Sequence, residues 1–261
     1  MRFEEILVTA TIVSGIVFLV NFINRKDASK KDRKPNWLVK EIVALFPVLV
    51  LVLFLRSFLG EGFRIPTGSM KPTLLEGDFI LVNKFAYGVR LPISGTTIIP
   101  VGKPKVGDIV VFRHTNGQDL IKRVVGVPGD RIRYTNKQLY INDKLIPHTE
   151  IATTQDHGIY TIESKERLAN VVHDIYDYPQ AMQIYKYDNV IVPPHSVFVM
   201  GDNRSNSVDS RVWGFLDEKY LIGKAVATWM SWDSSANGKI VPIRWSRIGK
   251  SIYQYADKHE S

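Results

Sequence analysis

Two long uncharged apolar runs open the chain, and short alternating segments separated by turn residues fill the remainder. Residues 6–23 hold 18 consecutive positions without a charge. As a helix they rise about 27 Å, close to the hydrocarbon thickness of a bilayer. This predicts a membrane-spanning helix over residues 1–24. Residues 42–55 form a second run, uncharged for 14 positions and extended by Leu38, Val39, Phe58 and Leu59. The flanking Lys40 and Arg56 have stems long enough to keep their charges at the interface. A second spanning helix is therefore predicted over 41–60, with Pro47 inside it.

From residue 61 onward the runs shorten. Strands are predicted at 79–85, 106–114, 119–127, 131–134, 138–141, 190–192, 197–200 and 221–232, each short and rich in strand formers. Asn116-Gly117 predicts a tight hairpin folding 108–113 onto 119–127, because both central residues tolerate positive φ. Pro128-Gly129-Asp130 closes the second arm. Residues 135–188 are polar without a sustained apolar period and read as an inserted smaller lobe. The predicted fold is mainly β, with two N-terminal transmembrane helices, a β core over 61–134 and 189–250, and a tail over 251–261.

Charge fixes the orientation of the two predicted crossings. The net charge is +8, and residues 25–41 carry seven Lys or Arg against three Asp or Glu, half of that excess. A basic block between two apolar runs is a membrane-flanking loop, here 25–40, and such loops are retained in the cytoplasm. That position argues against a nucleic-acid partner. A cleaved signal peptide is disfavoured as well, since Arg2 is offset by Glu4 and Glu5 and the positive block follows the run instead of preceding it. The first helix then starts outside, and two crossings return the chain outside at about residue 61. With no cysteine in the sequence, disulfides, thiolate nucleophiles and Cys-based zinc sites are excluded.

The candidate chemistry begins just past the second run. In Phe63-Arg64-Ile65-Pro66-Thr67-Gly68-Ser69-Met70-Lys71-Pro72-Thr73-Leu74 the two prolines restrict the backbone, and Gly68 removes a side chain beside the Ser69 hydroxyl, so that a substrate could approach. Ser69 is the candidate nucleophile. It lies about ten residues beyond the apolar run, within roughly 35 Å even if fully extended. On the second hairpin arm, alternation groups Leu120, Lys122 and Val124 on one face and Ile121, Arg123 and Val125 on the other. If its face points inward, Lys122 is desolvated, and a neutral lysine can take a proton from a serine hydroxyl. None of the six histidines stands in a Gly-x-Ser-x-Gly or His-Glu-x-x-His context. A Ser-Lys pair is thus favoured over a histidine triad. Residues 201–211 form a loop dense in short polar side chains, suited to local hydrogen bonding.

Taken together, these segments resemble bacterial type I signal peptidase in its Gram-negative two-helix form, a membrane-bound Ser-Lys endopeptidase. The resemblance is carried by Phe46-Pro47-Val48, IPTGSMKPTL from Ile65, GDFILVNKFAYG from Gly77, GDIVVF from Gly107, IKRVVGVPGD from Ile121, and VPPHSVFVMGDNRSNSVDSRVWGF from Val192. It implies a β catalytic domain of the signal-peptidase and repressor-protease kind. It also implies Ser69 as nucleophile, Lys122 as general base, Thr67 with the Ser69 N–H as oxyanion hole, Ser207 orienting the lysine, and Asp209 with Arg211 as a supporting ion pair. Phe63, Ile65, Pro66, Ile80, Leu120 and Ile121 fall on positions lining shallow apolar substrate pockets. Thr67 replaces a serine common in Gram-negative members, Ser205 stands where aspartate is frequent, and Leu120 replaces an aromatic residue.

The function implied is removal of signal peptides from exported preproteins after small residues, at Ala-x-Ala type sites. The catalytic domain would be periplasmic, on the bacterial inner membrane. The expected partners are those signal sequences and the lipid bilayer, with no metal, organic cofactor or nucleic acid, and the chain is expected to act as a monomer. Two other readings remain at this point. One is a catalytically silent membrane-tethered scaffold that binds exported proteins. The other is a repressor-type Ser-Lys self-cleaving protease, which would want a DNA-binding domain where this chain has apolar helices.

Overall fold

A computed structural model describes residues 3–26, 36–58, 61–90, 97–181, 187–233 and 243–255. The chain forms two units, Met1–Gly60 with Arg90–Ile98 and Glu61–Val89 with Ile99–Ser261.

The first unit holds two helices, Phe3–Lys26 and Trp37–Phe58. They pack closely where Gly15 meets Phe46, since a Cβ at Gly15 would lie 2.9 Å from that ring, and the rings of Phe18 and Phe46 sit 5.1 Å apart. Two buried hydroxyls of the first run are satisfied within it. Thr11 donates its hydroxyl to the Leu7 carbonyl and Ser14 to that of Thr11, as lipid-facing helices require. Ile12, Ile16, Leu19 and Ile23 are exposed, giving an apolar exterior of the kind a bilayer would cover. The expectation of two spanning helices is met in part. Among the described residues one helix is long and apolar enough to cross a membrane, over Ile6–Asn24. The second run is helical, but its first turns carry Lys40 and Glu41, which shorten its apolar stretch. Most of the basic loop, 27–35, lies outside the described residues.

The second unit is built from antiparallel sheet. Its main sheet runs in the order Glu61–Arg64, Asp78–Asn83, Leu221–Ser231, Ile109–Arg113, Asp119–Gly126, Ser196–Met200, Leu216–Asp217. The predicted hairpin forms with Val110 opposite Lys122 and Arg113 opposite Asp119. Its turn is longer than the two-residue kind predicted. Gly117 takes φ +83°, Asn116 does not take positive φ, and the His114 N–H donates to the Gln118 carbonyl at 2.8 Å. Register breaks against both neighbours bend Leu221–Ser231, as bulges do. Apolar side chains on the two faces form separate clusters. Ile65, Met70, Leu74, Ile80 and Val111 are in one, and Val110, Phe112, Val124 and Val199 in another.

The stretch expected to be an inserted smaller lobe, 135–188, is strand-rich. Arg131–Thr135 and Gln138–Ile141 pair in a small sheet. His148–Asp156, Ile159–Leu168 and Val171–Asp177 form a long antiparallel ladder. The apolar period is broken because Thr161, Ser164, Glu166 and His173 share the buried positions with Leu168, Val171 and Ile175, so the inward face is mixed. This stretch also bonds to the candidate site. The Arg204 N–H donates to the Tyr176 carbonyl, and the Tyr176 N–H to that of Asp202.

Candidate active site

Extended Thr67 leads into a single tight helical turn, Gly68–Met70. Two hydrogen bonds between Ile65 and the 77–78 backbone fix the entry to this turn. The Ile65 N–H donates to the Asp78 carbonyl at 2.8 Å, and the Gly77 N–H to the Ile65 carbonyl at 2.9 Å. Met70 and Leu74 anchor it from below, both fully buried in the first apolar cluster. The Ser69 carbonyl accepts from the Asn203 N–H at 3.1 Å, which ties the turn to the 201–211 loop. Ser69 is left half-buried, with its hydroxyl 2.7 Å from Lys122 Nζ.

Lys122 is 4% exposed, because the strand Asp119–Gly126 lies between Ile109–Arg113 and Ser196–Met200. Burial pushes its amine down from 10.5 to about 8, with Asp209 and Asp202 pulling back and Arg211 adding to the fall. A charge that water would stabilise is opposed here by low-dielectric surroundings.

The 201–211 loop closes the far side. Asp209 Oδ2 accepts from Arg211 Nη2 at 2.7 Å and from the Gly201 N–H at 3.0 Å, and Asp209 Oδ1 accepts from Arg211 Nε at 2.8 Å. Burial disfavours the Asp209 carboxylate, but Arg211 and these bonds more than offset it and hold it below its usual range. Gly201 is sterically required. A Cβ there would come within 2.3 Å of Ser207 Oγ and 2.5 Å of the Ser69 carbonyl oxygen. Ser207 Oγ is buried with no hydrogen-bond partner of its own, although it lies near enough to Asp209 to favour that carboxylate. Met200 pairs with Arg123, so Gly201, and Ser207 against it, follow directly on the register that ends beside Lys122.

Of the six expected pocket residues, Phe63, Ile65, Ile80 and Ile121 share the first apolar cluster, with Ile65, Ile80 and Ile121 in its buried core. Leu120 departs from the group, packing with the second cluster on the opposite face, and Pro66 is exposed. Thr67 is exposed too, and its hydroxyl does not cap the turn it precedes. Gly68 also has a packing role. The space its Cβ would occupy holds the Glu76 carboxylate, 2.9 Å away, and the Lys71 stem, 3.0 Å away. The glycine makes room for these two side chains. Among the described residues no group of three or more His, Asp or Glu is placed to hold a metal ion.

A family model described as Signal peptidase, peptidase S26, matches residues 38–232, the span that contains this whole constellation. The chain belongs to the signal peptidase family. It is 39% identical to signal peptidase I of Pseudomonas aeruginosa over 95% of this chain and 98% of that one. It is 37% identical to signal peptidase I of Buchnera aphidicola subsp. Schizaphis graminum, over 95% and 97%. A solved signal peptidase I from Enterococcus faecalis shares 29% identity over 48% of this chain and 97% of its own, with a TM-score of 0.30.

Around the Ser-Lys pair of this family member lies a buried ionic network that sequence reasoning missed. Arg123, 0% exposed, donates Nε and Nη2 to Asp202 at 2.8 and 2.7 Å and Nη1 to the Gly107 carbonyl at 3.0 Å. Glu166 pairs with Arg204, both buried, and His173 Nε2 sits 3.3 Å from Glu166 and 3.8 Å from Asp202. Arg123 carried a usable signal, a charge inside an apolar strand one position from the candidate base. Glu166 and His173 carried none.

Proposed function

We propose that this chain is a signal peptidase I, a membrane-anchored serine endopeptidase that removes signal peptides from exported preproteins after small residues. The observation that carries the reading is the 2.7 Å approach of a buried lysine amine to a half-buried serine hydroxyl. In this reading Ser69 Oγ attacks the scissile carbonyl while its proton passes to Lys122 Nζ. Lys122 then returns that proton to the leaving amine of the mature chain. A water, deprotonated by the same amine, hydrolyses the acyl-enzyme and frees the signal peptide. The Asp209–Arg211 pair neutralises the loop against which the lysine is held. Ser207, packed against Gly201 and beside Asp209, orients the amine in this reading. Both apolar helices cross the inner membrane, the basic loop is cytoplasmic, and the β core, with 135–188 inserted, works at the periplasmic face. One plane then confines enzyme and signal sequence and raises their effective concentration.

The pH dependence of precursor processing tests the reading. Only the neutral amine accepts the proton, and with its pKa lowered to about 8 roughly one enzyme in ten is competent at pH 7. Measured kcat/KM should rise close to tenfold per unit below about pH 7, bend over near pH 8 and level by about pH 9. A profile flat between pH 6 and 9 would exclude Lys122 as the base. Thr67→Val keeps the shape of the side chain and removes its donor. It should lower kcat by about 10² to 10³-fold with little change in KM, the size of effect seen for one oxyanion donor. Thr67→Ser should restore most of the rate, measured as steady-state cleavage of an Ala-x-Ala precursor.

A further inference from the structure

Lys71 stands two residues after the nucleophile and has no part in the reaction just described, yet it is only 9% exposed. Lysines are seldom buried without a partner, and this one has three. Its Nζ donates to Asp156 Oδ1 at 2.8 Å and lies 3.1 Å from His157 Nε2 and 3.5 Å from Glu76 Oε1. Its stem runs over Gly68, occupying the volume a Cβ would need. Burial opposes the Lys71 ammonium, and Asp156 and Glu76 more than offset it. Burial likewise opposes the Asp156 carboxylate, and Lys71 and Tyr178 restore it.

Asp156 is the last residue before the tip of the long ladder. His157 and Gly158 form that tip, both at positive φ (49° and 80°), with Asp156 paired to Ile159. A two-residue turn of this kind fixes the register and hence the place of Asp156. From Asp156 the bonding runs back to the nucleophile by a second route. Tyr178 Oη donates to Asp156 Oδ2 at 2.8 Å, and Asn203 Nδ2 donates to Tyr178 Oη at 3.0 Å. Asn203 Nδ2 also donates to the Gly68 carbonyl at 3.2 Å, and the Asn203 N–H to that of Ser69 at 3.1 Å. The ring closes through the backbone of residues 68–71. Every element that could let the Ser69 turn shift is thereby bonded to the ladder.

We propose that Lys71 is a positioning residue, locked onto Asp156 at the tip of the ladder, so that the Gly68–Met70 turn keeps Ser69 Oγ in reach of Lys122. The inference rests on the reading of Ser69 as nucleophile. Lys71→Met keeps the stem over Gly68 and removes the charge. Misplacing a reacting group by up to an ångström costs as much as about 100-fold. Lys71→Met in the full-length, detergent-solubilised chain should therefore lower kcat by between about 10-fold and 100-fold. KM should hold within about twofold, and the rising limb of the pH profile should stay near 8, because the surroundings of Lys122 are unchanged. Asp156→Asn should give a loss of the same size, and the Lys71→Met/Asp156→Asn double variant should be no worse than the poorer single, since both cut one tie.

Wild-type kcat in Lys71→Met, additive losses in the double variant, or a lower melting temperature with unchanged kcat would each overturn the proposal. If Lys71→Met does not fold, Tyr178→Phe tests the same ring from its other side and should also lower kcat with KM unchanged, whereas wild-type kcat there would count against the ring. Ser69→Ala separates the two ideas. An active Ser69→Ala enzyme refutes the nucleophile reading itself, while an inactive one beside a fully active Lys71→Met refutes the positioning role alone.

Discussion

Ser69→Ala and Lys122→Met should each lower turnover of a precursor by about 10⁴-fold or more, the scale on which removing a nucleophile or its base acts. The two losses should not multiply, because the proton transfer fails whichever partner is missing. Lys122→Met carries a further expectation that separates a dead enzyme from an unfolded one. The amine's folded value, about 8, lies below its ordinary 10.5, so the folded state disfavours the ammonium at every pH below the unfolded value. Replacing it with a thioether of similar length removes that penalty, and the melting temperature of Lys122→Met should equal or exceed that of wild type at pH 7. Such a trade of stability for activity is common at catalytic groups. If either variant keeps more than about one hundredth of wild-type turnover, the Ser-Lys assignment fails. If Lys122→Met melts well below wild type, the account of its burial fails.

The parts of the molecule that were legible in the sequence are those where local chemistry and tertiary environment agree. Ile109–Arg113 and Asp119–Gly126 alternate or run apolar between clear turn residues, and they pair as read. Lys122 was visible because a lone cation inside such a strand must be either at an edge or desolvated, and the strand turned out to be interior. The ladder over 148–177 was illegible for a complementary reason. Its buried face mixes Thr161, Ser164, Glu166 and His173 with Leu168, Val171 and Ile175, and so mixed an interior has no sustained hydrophobic period to detect. The packing role of Gly68 was hidden for a third reason, since a glycine signals that something comes close but not what. Here it is the Lys71 stem and Glu76. The ring through Lys71, Asp156, Tyr178, Asn203 and Gly68 joins positions 135 residues apart at its widest, and no single stretch of sequence contains enough of it to be read.

Asp202→Asn should produce the largest loss of stability of any single change in this network. Asp202 and Arg123 are both fully buried and bidentate, and Asp202 Oδ2 also accepts from the Thr73 hydroxyl at 2.5 Å. The asparagine keeps the shape but leaves the Arg123 guanidinium without a counter-charge in the interior. Breaking a buried pair from one side costs about 3 to 5 kcal/mol, which in a domain of this size lowers the melting temperature by on the order of 10 °C. Differential scanning fluorimetry of the detergent-solubilised chain at pH 7 would measure it. The linkage has a definite sign. Burial raises the Asp202 carboxyl and Arg123 more than reverses it, so that its folded value lies below the ordinary carboxylate range. Its stabilising contribution is therefore complete above about pH 4 and is lost as pH falls through the lower folded value. Wild type and Asp202→Asn should accordingly converge in strong acid and diverge above it. Removing both charges, as Arg123→Met/Asp202→Leu, leaves no orphaned ion and should recover much of the loss. A double variant as unstable as the single one would mean that the pair's geometry, and not the stranded charge, holds this part of the fold together.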